Sequence, residues 1–133
     1  MKIKILYIED MKECYEKTLA ILKDKCEIDW KKTPLEAIWA IFDNRLKEYD
    51  LAIFDVNLTY DARRKIEELP REGLELIAMA KKRLKELKSD LRILCVSKGN
   101  YKEEALKKGA NAYYWKREFW EGKGLEEIER ILK

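Results

Sequence analysis

Two hydrophobic periods alternate along the chain. Short apolar runs rich in β-branched and aromatic residues occur at Ile3–Ile8, Cys26–Trp30, Leu51–Phe54, Leu91–Val96 and Ala112–Trp115, and each predicts a strand. The stretches between them carry helical spacing. Met11, Cys14, Tyr15, Leu19 and Leu22 share one face, as do Leu35, Ile38, Trp39, Phe42 and Leu46. Leu74, Ile77, Met79 and Leu84 follow more loosely, then Ala105 with Leu106, and finally Leu125, Ile128, Ile131 and Leu132. These apolar faces, Trp30, Trp39 and Phe42 among them, are expected in the core. The punctuation agrees: Thr33-Pro34 reads as a cap and first helical residue, and Gly109 after Lys107-Lys108 reads as a helix stop. Five strands alternating with five helices imply an α/β protein, a parallel sheet wound on both faces. The segment from Leu58 to Gly73 exceeds a usual strand-to-helix loop.

Composition narrows the function classes. A length of 133 residues fits one domain, residues 1–133. With 47% apolar and 41% charged residues, the chain carries a full core under a charged surface, which excludes a disordered chain or a disulfide-stapled miniprotein. No apolar run approaches the roughly 18 residues of a membrane span, and Met1–Lys4 leads into a strand pattern, so neither a signal peptide nor a membrane partner is expected. Cys14, Cys26 and Cys95 are scattered and odd in number; they read as reduced core thiols of a cytoplasmic protein. The net charge of +3, without a basic stripe, argues against direct nucleic-acid binding. The absence of His removes Ser-His-Asp triads, Cys-His dyads and His-ligated zinc. With no Gln either, and Lys and Glu abundant, the skew points toward a thermophile.

In such folds ligands bind beyond the carboxyl ends of the strands. The first strand delivers Glu9 and Asp10 there, the third Asp55, the fourth Ser97 and the fifth Lys116. Clustered carboxylates repel unless a cation neutralises them. An all-oxygen set suits Mg²⁺, and a carboxylate beside a metal and a lysine is a plausible acceptor in phosphoryl transfer. Taken singly, each residue also has a bland reading; Asp10, for example, can cap the first helix.

These residues resemble the receiver domains of two-component response regulators, including the chemotaxis type. The resemblance rests on Ile5–Asp10 with its acidic pair, Tyr49–Leu58 around Asp55, Gly73–Ile77, Ile93–Ser97, and the Gly-Ala…Tyr…Lys ending within Ala105–Lys116. It implies the flavodoxin-like fold, a five-stranded sheet in the order 2-1-3-4-5, and phosphotransfer from a histidine kinase. It also implies Asp55 as the acyl-phosphate site and Mg²⁺ on Asp10, Asp55 and the Asn57 carbonyl, with Glu9 acting through water. Lys116 and Ser97 would contact the phosphoryl group, and Tyr113 would follow it as a switch with Ser97. An effector would read the Tyr101–Trp120 face, where Tyr101, Tyr113, Tyr114, Trp115, Phe119 and Trp120 crowd together, and slow autodephosphorylation would reset the state.

Four departures stand against the family pattern. Leu58 is followed by Thr59 and not by proline, and about ten extra residues precede Gly73. Within this extra segment, about residues 59–72, a short helix is expected from Asp61, Ala62, Ile66 and Leu69, ended by Pro70. Lys98 replaces a small residue after Ser97. The family's Lys-Pro step is Lys116-Arg117, where a cis bond costs roughly 2.5–4 kcal/mol, so the chain after strand five is expected to run differently. Lys98 and Arg117 leave open a degenerate receiver, an interaction module that does not depend on phosphorylation. Asp55–Thr59 resembles a dehalogenase-type phosphatase loop only superficially, and Asn57 breaks a Toprim-like metal motif.

Overall fold

The computed structural model describes residues 2–22, 24–56 and 72–131. Its elements are β1 (Ile3–Ile8), α1 (Lys12–Leu22), β2 (Cys26–Lys31), α2 (Pro34–Phe42), a 3₁₀ turn (Asn44–Glu48), β3 (Leu51–Asp55), α3 (Glu72–Glu86), β4 (Arg92–Ser97), α4 (Lys102–Lys108) and β5 (Ala112–Trp115). Two helical pieces follow, α5 (Lys116–Glu118) and α6 (Gly124–Ile131), joined by a wide helical turn over Phe119–Lys123. The five strands are all parallel in the order 2-1-3-4-5. The parallel sheet is the one expected from the alternation of elements, and the flavodoxin-like order, with β3 in the centre, is the one the receiver resemblance implies.

Strand periodicity divides the core into two layers. Leu6, Ile8, Ala52, Phe54, Ile93 and Cys95 point to the side covered by α2, α3 and α4. Ile5, Tyr7, Leu51, Ile53, Leu94 and Val96 point to the side where α1 and α6 pack, with Phe119 and Ile128. A strand covered on both faces reads as an unbroken apolar run. β3 is such a strand, buried at every position, and Asp55 is its one ionisable residue. Thr33 caps α2 by accepting from Glu36 N at 3.1 Å, with Pro34 in the first turn, and α4 ends at Gly109.

Helix α2 corrects the expectation for Trp39 and Phe42. Its buried residues are Ala37, Ala40 and Ile41, whereas Leu35, Trp39 and Phe42 are 55%, 67% and 53% exposed. The helix is apolar nearly all round, so periodicity alone does not choose its inner face. The narrow space against β2 and α3 selects the small alanines. Trp30 is half-buried and stacks on Tyr15 with ring centroids 4.0 Å apart. On α1 the buried face is Cys14, Thr18 and Leu22, while Met11 lies outside the helix and is exposed.

After β5 the chain turns directly into helix at Lys116, all described peptide bonds being trans. Gly122 takes φ 111° in the turn between α5 and α6, a left-handed conformation that favours glycine. Residues 57–71, and with them the expected short helix, lie outside the described residues.

Gly73 closes the path from β3 to α3. Its N–H donates to Val56 O at 2.9 Å, and a Cβ there would lie 2.0 Å from Asp55 O and 2.5 Å from Val56 Cα. Both obstacles are backbone and cannot rotate away. Gly73→Ala is therefore expected to destabilise the domain by about 3 kcal/mol, read as a lower denaturant midpoint at unchanged slope.

Candidate functional site

At the carboxyl edge of the sheet, β1 passes into Glu9 and Asp10, β3 ends at Asp55, and β5 passes into Lys116. Glu9 continues the side of β1 that carries Ile5 and Tyr7, and Asp55 continues the side that carries Leu51 and Ile53. Both carboxylates therefore enter the layer beneath α1. Carboxylate oxygens of Glu9, Asp10 and Asp55 lie within 4.8 Å of one another. Glu9 and Asp55 are 0% and 2% exposed.

Lys116 bridges the two buried acids. Its Nζ lies 2.7 Å from Glu9 Oε1 and 3.4 Å from Asp55 Oδ1, and donates to Cys14 Sγ at 3.4 Å. Glu9 is held further by Tyr7 OH on Oε1 at 3.2 Å and by Met11 N on Oε2 at 3.3 Å. The Trp30 indole donates to the Glu9 carbonyl at 2.6 Å. Asp55 Oδ1 accepts no hydrogen bond among the described residues.

Burial first, and then the charge of Glu9, raise the Asp55 pKa well above the usual carboxylate range, against the opposing pull of Lys116. Burial alone would push the Lys116 pKa down, but the charges of Asp55 and Glu9 outweigh it and raise the value, so the ammonium persists. Burial and then Glu9 likewise raise Tyr7 and Cys14, which stay protonated donors or thiols at neutral pH.

Three carboxylates share the one buried ammonium of Lys116, which by itself cannot balance them when all three are ionised. Buried carboxylates in that state need a counter-ion. Three oxygen donors without His or Cys have the chemistry of a hard divalent cation site, and such an ion would engage Asp55 Oδ1, which accepts no hydrogen bond among the described residues. Asn57 lies outside the described residues.

Ser97 and Tyr113 face the other layer, beside Ile93 and Cys95. Ser97 Oγ, fully buried, accepts from Gly99 N at 3.0 Å. Tyr113 OH donates to Gly99 O and accepts from Tyr101 N at 3.2 Å, with Ser97 also within hydrogen-bonding reach. Ser97 and Tyr113 thus both bond the backbone of the segment between β4 and α4. The structure brings Glu9, Asp10, Asp55 and Lys116 together on one side and pairs Ser97 with Tyr113 on the other. Lys98 is exposed at the rim. The aromatics from Tyr101 to Trp120 do not share one exposure: Phe119 is core, Trp120 half-buried and Trp115 50% exposed.

Sequence reasoning missed the layer around Glu9, namely Tyr7, Cys14, Thr18, Trp30 and Trp120. One signal was available: Tyr7 precedes Glu9 by two positions and so shares its face.

No protein-family model matches the chain, and no curated protein does. Solved structures do. A two-component response regulator from Clostridium difficile is 24% identical, with 97% of each chain covered and a TM-score of 0.70. A CheY-like receiver domain protein from Methanospirillum hungatei is 24% identical over 98% of this chain and 99% of that one, at 0.66. A BeF3-activated DrrB receiver domain is 16% identical over 98% and 99%, at 0.70. No helix among the described residues is long and apolar enough to cross a membrane. Strand order, the position of the acidic cluster and these likenesses agree: this chain has the fold of response-regulator receiver domains.

Proposed function

We propose that the chain is the phosphoacceptor receiver domain of a two-component response regulator in the cytoplasm. The observation that carries this reading is the buried Lys116 ammonium shared by Glu9 and Asp55 at the carboxyl edge of a parallel sheet, with Asp10 beside them. The comparison with a receiver domain held in a BeF3-activated state supports the same chemistry.

Asp55 acts as nucleophile on the phosphohistidine of a histidine kinase. One carboxylate oxygen forms the new P–O bond, the P–N bond breaks, and the imidazole leaves with its electron pair and takes a proton. Asp10, Asp55 and the Asn57 carbonyl would hold Mg²⁺, with Glu9 in support through water; bound there, the ion supplies charge neutralisation for the acids and the phosphoryl oxygens. Lys116 turns from Glu9 to the transferred group, where its ammonium offsets the dianion. Ser97 donates its hydroxyl to that group and gives up Gly99 N. Tyr113, bonded to the same loop, carries the change to the Tyr101–Trp120 face read by an effector. Water then hydrolyses the acyl phosphate slowly.

Intact protein with Mg²⁺ and acetyl phosphate is expected to gain the mass of one phosphoryl group, and to gain none when EDTA replaces Mg²⁺. Full-length protein that never gains this mass is instead a degenerate receiver, an interaction module independent of phosphorylation.

A further inference from the structure

Behind Glu9 runs a chain of hydrogen bonds that the transfer step does not use. Trp120 Nε1 donates to Thr18 Oγ1 at 3.1 Å, Thr18 Oγ1 lies 3.1 Å from Tyr7 OH, and Tyr7 OH donates to Glu9 Oε1 at 3.2 Å. Donor accounting fixes its direction. An indole nitrogen only donates, and an ionised carboxylate only accepts. The Tyr7 hydrogen is committed to Glu9, so the Thr18 hydroxyl donates to Tyr7 and in turn accepts from Trp120. Every link is used, and Thr18 and Tyr7 are each 1% exposed. In such a dry setting aligned hydrogen bonds strengthen one another, and the loss of any one leaves a polar group stranded.

The chain begins and ends on connected pieces of structure. Trp120 stands four residues after Lys116, on the segment that leaves β5. That segment therefore grips the site twice, through Lys116 directly on Glu9 and through Trp120, Thr18 and Tyr7 onto the same Oε1. When Lys116 leaves for a phosphoryl group, Tyr7 is the side-chain donor still on Oε1. A buried carboxylate stripped of donors is costly, so the ease of that departure depends on what remains.

Resting on the phosphoacceptor reading, we propose that Tyr7, Thr18 and Trp120 are positioning residues for phosphoryl transfer: their directed hydrogen bonds hold Glu9 as Lys116 passes to Asp55's phosphoryl group. They touch no reacting atom, and only Tyr7 among them reaches the acidic cluster, through Glu9 Oε1.

The test uses the whole chain as wild type, Tyr7→Phe, Thr18→Val and Thr18→Ser, at saturating Mg²⁺. Tyr7→Phe and Thr18→Val are expected to slow labelling by acetyl phosphate about tenfold, the scale of one hydrogen bond to a charged group, while Thr18→Ser retains the wild-type rate. A spectroscopic readout separates positioning from loss of fold. Beryllofluoride should shift the Trp120 indole N–H resonance in the wild type and leave that of exposed Trp39 in place, and the Trp120 shift should vanish in Tyr7→Phe. Wild-type labelling rates in Tyr7→Phe and Thr18→Val, or a Trp120 shift that survives in Tyr7→Phe, would overturn the positioning role and leave Asp55 as phosphoacceptor. Wild-type protein that takes no label would overturn both.

Discussion

Replacing Lys116 by methionine is expected to cost the metal-free protein about 3–5 kcal/mol, the scale for breaking a buried ion pair by removing one partner. The reason is the asymmetry of burial. Lys116 Nζ lies 2.7 Å from Glu9 and 3.4 Å from Asp55, and both acids are nearly inaccessible. Methionine keeps most of the volume but leaves those carboxylates facing each other without a cation. Such a loss is a large fraction of the 5–15 kcal/mol that holds a typical domain together. Chemical denaturation with and without Mg²⁺ measures it. Millimolar Mg²⁺ should restore part of the loss, and Glu9→Gln added to Lys116→Met should restore more than it gives in the wild type, a coupling that a double-mutant cycle isolates. A Lys116→Met protein as stable as wild type in EDTA would mean that the buried pair is not an energetic unit.

Asp55→Asn is expected to do two opposite things. It should abolish phosphoryl labelling, because the nucleophilic oxygen is gone, and raise metal-free stability by about 1–2 kcal/mol, as relief of strain at a functional site commonly does. The pH dependence follows from the same cause. Burial and Glu9 raise the Asp55 pKa in the folded state, so between the unfolded value of about 3.9 and the higher folded one the native state binds more protons than the unfolded state. Stability in EDTA should then fall as pH rises through that window. Lys116 and Tyr7, also raised, add a second fall above about pH 10. Thermal midpoints across pH should show the first fall in the wild type and lose much of it in Asp55→Asn.

The architecture was legible in the chain itself. Strand and helix periods are properties of local spacing, so Ile3–Ile8 and Ala112–Trp115 stand where the pattern put them, and the Thr33 cap and Gly109 stop mark boundaries through local backbone chemistry. The strand ends named Glu9, Asp10, Asp55 and Lys116 for the same reason: in a parallel sheet, strand direction alone decides which edge a terminal residue reaches.

Tertiary structure decided what local spacing leaves open. Helix α2 is apolar on most of its circumference, so only the room beside the sheet and α3 determined that Ala37, Ala40 and Ile41 turn inward and that Leu35, Trp39 and Phe42 form an exposed stripe. Thr18, a polar residue at a buried position of α1, became readable only when β1 and the segment after β5 brought Tyr7 and Trp120 to its hydroxyl. The choice of Glu9 as the nearer partner of Lys116, at 2.7 Å against 3.4 Å for Asp55, likewise depends on how segments far apart in the chain pack together. Sequence determines which groups reach the edge of the sheet, because that follows from chain direction and period; packing determines which of them touch, because contact depends on volumes contributed from all over the chain.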